Sequence, residues 1–399
     1  MRKILLISWS DLFGGAAQAT NEIYKSLKKE KNINFFVQNK ISSDKSISTY
    51  KNKTINFILR KYLSILFYKL RFSKNDYSYN IINSDIVQKA KLDNYDVINI
   101  HWVNSETLSI FDISKLNKNL VITLHDMWFM NGSEHYLYNL PCYYYKSGKN
   151  IKPNKIDILI WRLKKKFLEK KNVIIVAPSK WMAKLAKKSR IFSNFPIKII
   201  PYPVDKNIFY PQKVQKLKAN NQLIIKQKNT IDVLFVSAGG LFNFRKGFDL
   251  LDNAISRFDK EKKFRIIIVG SYRTKDLKTT KSKIINLGEI KNKNLLNKIY
   301  NFADILTIPS RLDNLPNVAL EAQSCGLPIV SYNVGGLADI IDHKKNGFLV
   351  KPFNIKNFYY GIEYCYENRK KFYVNALIKS RKWSQKKVSK KYPKKFKKL

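Results

Sequence analysis

Short runs of β-branched residues alternate with longer amphipathic stretches along most of the chain. This alternation predicts parallel sheets built from βαβ units. Six strands are expected in the first half and five in the second. They are residues 4–9, 33–38, 97–102, 120–125, 173–178 and 198–201, followed by residues 233–238, 265–270, 284–287, 305–309 and 328–332.

The two series of strands are separated by a stretch that leaves the periodic pattern. It begins with Pro201, Pro203 and Pro211, and a polar region rich in Lys, Asn and Gln continues to Thr230. Such a composition is typical of a linker. Because 399 residues exceed what one hydrophobic core usually organises, we expect two domains of about 200 residues each.

Two segments are both basic and amphipathic, residues 55–72 and residues 156–171. Apolar residues at helical spacing can face a protein core, which is one interpretation of both segments. The alternative is a helix that lies on an anionic lipid surface, with its lysines and arginines against the headgroups. Both interpretations stay open at the level of the sequence.

The chain is strongly basic, with 75 Lys and Arg against 29 Asp and Glu and a formal net charge of +46. A field of this sign attracts nucleic acids, anionic membranes and phosphate-bearing substrates. Much of the excess is scattered lysine, which a coding bias would also produce. A nucleic-acid-binding protein is therefore an alternative, although no helix-turn-helix, zinc-finger, RRM or KH pattern is present.

The three cysteines, Cys142, Cys325 and Cys365, are far apart and form no C-x-x-C pattern. This disfavours a disulfide framework or a structural zinc site and fits a reducing compartment. Residues 1–9 are interpreted as a first strand rather than a signal peptide. No window of about 20 apolar residues predicts a membrane span. We therefore expect a cytoplasmic protein, and no metal is assigned because no Asp-x-Asp motif occurs.

The first βα turn contains the pair Gly14 and Gly15, followed by a helical stretch over residues 18–28. Glycines between a strand and its helix let a ligand approach the backbone, and the helix N-terminus presents N–H groups to an anion. The pair does not form G-x-G-x-x-G, so a nicotinamide dinucleotide is disfavoured. A tight turn without a ligand explains the pair equally well.

A denser group of polar residues follows the strand that ends at Pro309. Asp313 lies in the loop after that strand, and Glu321 lies on the next predicted helix. Ligands bind beyond the carboxyl ends of parallel strands, so Asp313 could accept hydrogen bonds from sugar hydroxyls and Glu321 from a ribose. Backbone N–H groups at the start of the helix could meet phosphate.

Residues 309–328 resemble the donor-site motif of the retaining GT-B glycosyltransferases of family 4, the "glycosyl transferases group 1". The family pattern has two acidic residues eight positions apart, followed by Ala/Cys-Gly-x-Pro. Asp313 stands where the family usually has Glu, and Glu321 matches the second position. The fold class implied is α/β, GT-B, with two Rossmann-like domains whose parallel sheets face across a cleft.

The resemblance also implies the roles of the parts of the chain. Residues 1–204 would form the acceptor-side domain, residues 205–375 the nucleotide-sugar donor side, and residues 376–399 a basic C-terminal helix that packs back on the N-domain.

Other positions of the family match this sequence one at a time. His125 resembles the N-domain histidine that lines the catalytic cleft. Arg245 and Lys246 resemble the basic pair that clamps the donor diphosphate. Many relatives place an arginine where this sequence has Leu241, so either Arg245 substitutes for it or the clamp depends mainly on Lys246. The implied catalytic residues are His125, Lys246 and Asp313. The implied donor-binding residues are Gly14, Gly15, Arg245, Lys246, Asp313, Asn314, Leu315, Pro316, Asn317 and Glu321.

The activity implied is metal-independent transfer of a sugar, with retention, from a nucleotide-sugar donor. Similarity of the stretch from His101 to Asn104 to bacterial polysaccharide-assembly members implies a glycan or polyisoprenyl-linked acceptor. The enzyme would then work in the cytoplasm, at the inner face of the membrane, with no cofactor beyond its donor substrate and no nucleic acid as partner. A catalytically silent GT-B scaffold is the further alternative.

Overall fold

The computed structural model describes residues 3–28, 32–49, 62, 77–220, 222–237, 241, 243–259, 263–271 and 282–392. The described residues form two compact units. Unit 1 contains those of Met1–Pro201 and Val388–Leu399, and unit 2 those of Tyr202–Lys387. The amphipathic segment 55–72 lies outside the described residues, apart from residue 62.

Unit 1 is built on seven described strands, all parallel to their neighbours, in the order β3-β2-β1-β4-β5-β6-β7. The near-continuous apolar sequences of β1, β4, β5 and β6 are those of strands buried on both faces. The strands are β1 (Ile4–Ser10), β2 (Ile33–Asn39), β3 (Ile47–Thr49), β4 (Val97–Ile100), β5 (Asn119–Thr123), β6 (Val173–Ala177) and β7 (Ile197–Ile199).

Helices follow most of these strands, as βαβ units require. The helices that begin in unit 1 are α1 (Gly14–Leu27), α2 (Ile86–Lys89), α3 (Ile110–Lys115), α4 (Lys155–Leu168) and α5 (Lys180–Lys188). Several begin at polar N-caps: the side chains of Ser109, Asn154 and Ser179 each accept a backbone N–H of the first turn.

Helix α4 occupies the second basic amphipathic segment of the sequence. Its inward face buries Ile160, Trp161 and Leu168, so one face of this segment packs on the core. The inward face also buries Lys164, whose Nζ donates to the carbonyl oxygens of Trp128, Asn131 and Gly132 at 2.5, 3.1 and 2.6 Å. Burial holds the pKa of Lys164 well below its usual range, and these three carbonyls accept the hydrogens on Nζ, which is why a lysine in a basic run can face the interior.

Unit 2 has six described parallel strands in the order β12-β11-β10-β13-β14-β15. They are β10 (Ile231–Val236), β11 (Phe264–Val269), β12 (Ile284–Asn286), β13 (Ile305–Ile308), β14 (Ile329–Tyr332) and β15 (Gly347–Val350). The helices that begin in unit 2 are α6 (Phe248–Phe258), α7 (Lys293–Phe302), α8 (Asn317–Ser324), α9 (Leu337–Ile340), α10 (Ile355–Glu367), α11 (Arg369–Ser380) and α12 (Gln385–Ser389). Side chains of these strands pack with those of α6 and α10 in one apolar core.

The two parallel sheets confirm the α/β prediction, and each of the eleven expected strands begins and ends within two residues of an observed one. The expected linker is wrong in part. It contains an antiparallel pair, β8 (Lys216–Ala219) and β9 (Gln222–Ile225). Leu217, Ala219 and Ile224 are buried. The opposite face exposes Lys216 and Lys218 together with Leu223 and Ile225, so the lysines of this region belong to one face of a hairpin.

Among the described residues, no helix is both long enough and apolar enough to cross a membrane.

Candidate active site

In the sheet of unit 1, β2 and β3 lie on one side of β1, and β4 to β7 lie on the other side. The order of the strands therefore reverses between the neighbours β1 and β4. Such a switch point leaves a crevice at the carboxyl ends of the two strands, where ligands of this architecture bind. Gly14 and Gly15 lie there, as the first residues of α1 after β1. A Cβ added at either glycine would meet no atom within 4 Å, so a ligand can approach this part of the backbone closely.

His125 follows β5, the strand next to β4, and its side chain points into the unit. The ring is 7% exposed, and its Nε2 lies 2.9 Å from Nδ1 of His101 and 3.5 Å from Oγ1 of Thr20 on α1. Burial lowers the pKa of His125 to about 4, against the opposing charge of Asp126. Burial, with His125 nearby, also holds the pKa of His101 well below its usual range. Both rings are therefore neutral at pH 7.

The next residue, Asp126, is held by an extended set of hydrogen bonds. Its Oδ2 lies 2.6 Å from Nδ1 of His135 and accepts Nε1–H of Trp102 at 2.9 Å, while Oδ1 accepts the backbone N–H of Trp128 at 3.0 Å. Burial alone would raise the pKa of Asp126, but His135 and these donors hold it below its usual value. Nε2 of His135 reaches Oγ of Ser78 at 2.9 Å. This network fixes the loop in which His125 lies.

Unit 2 has its own switch point, between the neighbouring strands β10 and β13. Arg245 and Lys246 lie on a single 3₁₀ turn (Phe244–Lys246) that follows β10, and Asp313 lies in the loop that follows β13. Lys246 and Arg245 precede Asp313 by 67 and 68 positions in the sequence. The carboxyl ends of adjacent parallel strands bring the three residues together.

Asp313 is the centre of this group. Its Oδ2 accepts from Nζ of Lys246 at 2.7 Å, its Oδ1 lies 3.4 Å from Nη1 of Arg245, and the backbone N–H of Asn314 donates to Oδ1 at 3.1 Å. Burial would raise the pKa of Asp313, but Lys246 and Arg245 hold it below its usual value. Burial lowers the pKa of Lys246, and Asp313 opposes that shift. The site is an ionised carboxylate with two cations, of net charge +1.

Gly335 shows how tightly the loop of Asp313 is enclosed. It has a left-handed backbone with φ +58°, and a Cβ there would overlap the carbonyl oxygen of Asp313. Only glycine fits both conditions. The next residue, Gly336, donates its N–H to the same carbonyl at 3.1 Å. These two glycines, which precede α9, therefore hold the loop of Asp313 in place.

The remaining predicted donor residues lead into helix α8. Asn314 and Leu315 are buried, Pro316 precedes the helix, and Asn317 is its first residue. Glu321, on the second turn, is buried, and its Oε2 accepts from the hydroxyl of Tyr300 at 2.8 Å. Tyr300 lies on α7, so a neighbouring helix of unit 2 holds this carboxylate.

The structure thus joins Arg245, Lys246 and Asp313 directly. Leu241, which stands where relatives have an arginine, belongs to the apolar core, so Arg245 is the arginine beside the carboxylate. Sequence reasoning missed His101 and Tyr300 as partners of site residues. His101 is the next-to-last residue of the predicted strand 97–102, and His125 is the last residue of the predicted strand 120–125, which is the signal that could have indicated their contact.

Within the described part of the chain, no cluster of three or more His, Cys, Asp or Glu side chains could hold a metal ion.

Two family models match the chain. The model described as "Glycosyl transferases group 1" matches residues 232–368, and the one described as "Glycosyltransferase Family 4" matches residues 52–207.

Curated relatives match parts of the chain. A glycosyltransferase of Methanocaldococcus jannaschii, MJ1607, is 30% identical over 41% of this chain and 42% of its own length. A 41.2 kDa protein in the cps region of Klebsiella pneumoniae is 28% identical over 66% of this chain and 68% of its own length. The chain therefore spans less than half of the first relative and about two thirds of the second.

Solved structures match over nearly the whole chain. HepE from Anabaena, in complex with UDP and glucose, superposes with a TM-score of 0.68 at 17% identity and covers 100% of both chains. WaaG, a glycosyltransferase involved in lipopolysaccharide biosynthesis, superposes with a TM-score of 0.62 at 13% identity, covering 97% of this chain and 98% of its own. At these identities the similarity establishes the fold, and the predicted GT-B fold class is confirmed.

Proposed function

Since this chain belongs to the GT-B glycosyltransferases of family 4, we propose that it transfers a sugar, with retention, from a nucleotide-sugar donor to a glycan or lipid-linked glycan. The observation that carries the proposal is the contact of Asp313 with Lys246 and Arg245 at the switch point of unit 2. A carboxylate beside two cations suits a ligand that combines sugar hydroxyls with a diphosphate.

The two cations would supply the electrostatic part of the reaction. Cleavage of the bond between sugar and diphosphate leaves negative charge on the departing phosphate oxygen, which Lys246 and Arg245 would stabilise. Lys246 has three N–H donors, and Asp313 accepts one of them. The others can donate to phosphate, while Asp313 orients the ammonium and accepts from sugar hydroxyls. The nucleotide in HepE, which is UDP, makes a uridine diphosphate sugar the first donor to test.

Glu321 would accept the ribose hydroxyls. Its carboxylate already accepts the hydroxyl of Tyr300, so its orientation is set before the donor arrives. By the family resemblance, His125 would meet the transferred sugar. As a neutral ring held in a fixed loop, it can exchange hydrogen bonds with hydroxyls without the cost of burying a charge.

The class of acceptor is proposed from the relatives. One relative is encoded in a cps region, and one structural neighbour takes part in lipopolysaccharide biosynthesis. These two proteins are the reason for proposing a cell-surface polysaccharide as the product and a polyisoprenyl-linked glycan as the acceptor.

The structure offers one surface suited to a lipid-linked acceptor. The outward face of α4 exposes Ile156 and Leu159, by 52% and 57%, between the exposed basic residues Lys155, Arg162 and Lys166. This outward face combines aliphatic residues with positive charge, as interfacial helices do. We propose a peripheral, salt-releasable association with the cytoplasmic face of the membrane.

A donor panel tests the activity. UDP-, GDP- and ADP-sugars are incubated with the enzyme, with water as the acceptor, and NMR follows the release of nucleoside diphosphate and the anomer of the hydrolysed sugar before it mutarotates. We expect turnover of at least one donor with the anomeric configuration kept, and loss of turnover in Lys246→Ala but not in the exposed control Lys351→Ala. An inverted product, or equal rates in both variants, would refute the proposed mechanism.

Cosedimentation with liposomes tests the membrane association. We expect binding to anionic vesicles at low salt, release at high salt, and weaker binding when Lys155, Arg162 and Lys166 are all changed to Gln, since each basic residue near the surface contributes about 1 kcal/mol. Binding that is indifferent to lipid charge, or unchanged in the triple variant, would show that this face of α4 does not contact the membrane.

A further inference from the structure

Two buried histidines meet where β4 and β5 end. Nδ1 of His101 lies 2.9 Å from Nε2 of His125, and the rings are 1% and 7% exposed. Two neutral imidazoles can form this bond in only two ways, because one nitrogen must carry the proton and the other must accept it. The direction of the bond therefore determines the tautomer of both rings.

Thr20 on α1 indicates the direction. Its hydroxyl donates to the carbonyl oxygen of Ala16 at 2.8 Å, so the hydroxyl hydrogen is already used. Toward Nε2 of His125, at 3.5 Å, the hydroxyl oxygen can present only a lone pair. The contacts with Thr20 and His101 thus both fit an Nε2 that carries a proton, and His101 accepts this proton at Nδ1.

The other nitrogen of His101 has an unusual environment. Its Nε2 is buried, and no hydrogen-bond partner for it exists among the described residues. This holds for either tautomer of His101, so an imidazole at this position leaves one polar atom unsatisfied, which disfavours the folded state. Because an apolar side chain would avoid that cost, the contact with His125 is the reason that the structure offers for a histidine here.

We propose that His101 is a positioning residue whose Nδ1 accepts the Nε2–H of His125, fixing one tautomer and one ring orientation of His125. The tautomer follows from the contacts in unit 1 alone. Its consequence for sugar transfer rests on the proposed function.

Nitrogen NMR tests the tautomer directly. The chain has 4 histidines, so two-bond proton–nitrogen spectra of the ¹⁵N-labelled full chain at pH 7 can be assigned from single variants, including the exposed control His343→Gln. We expect His125 to be protonated at Nε2 in the wild type. His101→Asn should keep this tautomer, because the Asn side-chain oxygen can take the place of Nδ1, and His101→Leu should give a mixture of tautomers. An Nδ1-protonated His125 in the wild type, or an unchanged spectrum in His101→Leu, would overturn the proposal.

Kinetics tests the consequence. With the donor identified by the panel, His101→Leu should lower kcat by roughly 10–100-fold, as misplaced groups do, with little change in the KM for the donor. His101→Asn should recover most of kcat, because it also restores the Nε2-protonated tautomer of His125. If His101 were only structural, the recovery of kcat would not follow the recovery of that tautomer. A rate in His101→Leu equal to that of the wild type, or lost rate with the tautomer intact, would contradict the positioning role.

The NMR test and the kinetic test can be distinguished when one of them fails. If no donor is turned over by the wild type, the proposed function fails and the NMR result still decides the tautomer. Thermal unfolding identifies any variant that does not fold, and in that case His101→Asn alone carries the comparison with the wild type.

Discussion

The contact between Lys246 and Asp313 gives the sharpest mutational prediction. Lys246→Ala removes the shortest of the contacts to the buried carboxylate, 2.7 Å from Nζ to Oδ2. Removing one partner of a buried ion pair can cost about 3–5 kcal/mol, because it leaves a charge without compensation. Here Arg245 and the backbone N–H of Asn314 remain. We therefore expect a loss of about 1–3 kcal/mol in the free energy of unfolding.

The effect on activity should exceed what the change in stability explains. If Lys246 donates to the departing phosphate, its loss should lower kcat/KM about 10- to 150-fold, which corresponds to about 1.5–3 kcal/mol for a charged hydrogen bond. Asp313→Asn should also lower kcat/KM, because it removes the charge that orients the ammonium. The double variant should then lose less than the sum of the two single losses, since both act through one contact.

The assay is initial-rate kinetics with saturating and limiting donor, run well below the unfolding temperature of each variant. Lys351→Ala, an exposed lysine of the same unit, is the control for loss of positive charge. A kcat/KM within twofold of the wild type in Lys246→Ala would refute the assignment. Fully additive losses in the double variant would show that Lys246 and Asp313 act independently.

Three further predictions follow from buried groups. Tyr300→Phe should raise the KM for the donor about 10-fold with a smaller change in kcat, because it removes the hydroxyl that orients Glu321; an unchanged KM would exclude that role. Stability should fall as the pH drops from about 6.5 to about 4, by about 3 kcal/mol for His125 alone, because the unfolded chain takes up a proton that the folded one excludes. Urea unfolding over this range should show a smaller loss in His125→Asn, and an equal loss would contradict the shift. Lys164→Met should cost about 1–3 kcal/mol by leaving carbonyl groups unsatisfied, whereas exposed Lys166→Met should change stability by less than about 0.5 kcal/mol.

The strands were predictable because buried parallel strands have continuous apolar sequences. The segment Val173–Ala177, for example, is buried at every position. The hairpin of β8 and β9 was missed because each strand is only four residues long and lies in a region otherwise rich in Lys, Asn and Gln, which resembles a polar linker. Its burial depends on packing against another element, and a local pattern does not contain that information.

The residues of the candidate site that lie in one short sequence motif could be predicted from the sequence. Pairings that depend on tertiary contacts could not. Asp313 and Glu321 lie in one short motif, and the strand order explains why Lys246 reaches Asp313. His101 and His125 are 24 positions apart, and only their similar places near the ends of two predicted strands point to their contact. The burial of Lys164 likewise requires three carbonyl groups that only the folded turn brings together.

Binding of a nucleotide sugar at unit 2 tests the central claim most directly. Thermal unfolding is measured with and without a panel of UDP-, GDP- and ADP-sugars, for the wild type, Lys246→Ala and Lys351→Ala. At a donor concentration 100 times Kd, binding to the folded state adds about 2.7 kcal/mol, or roughly 5–10 °C for a domain of this size. The account predicts a saturable rise for at least one nucleotide sugar in the wild type and Lys351→Ala, and a much smaller one in Lys246→Ala. No rise with any of these donors, together with a salt-sensitive rise with nucleic acid, would contradict it.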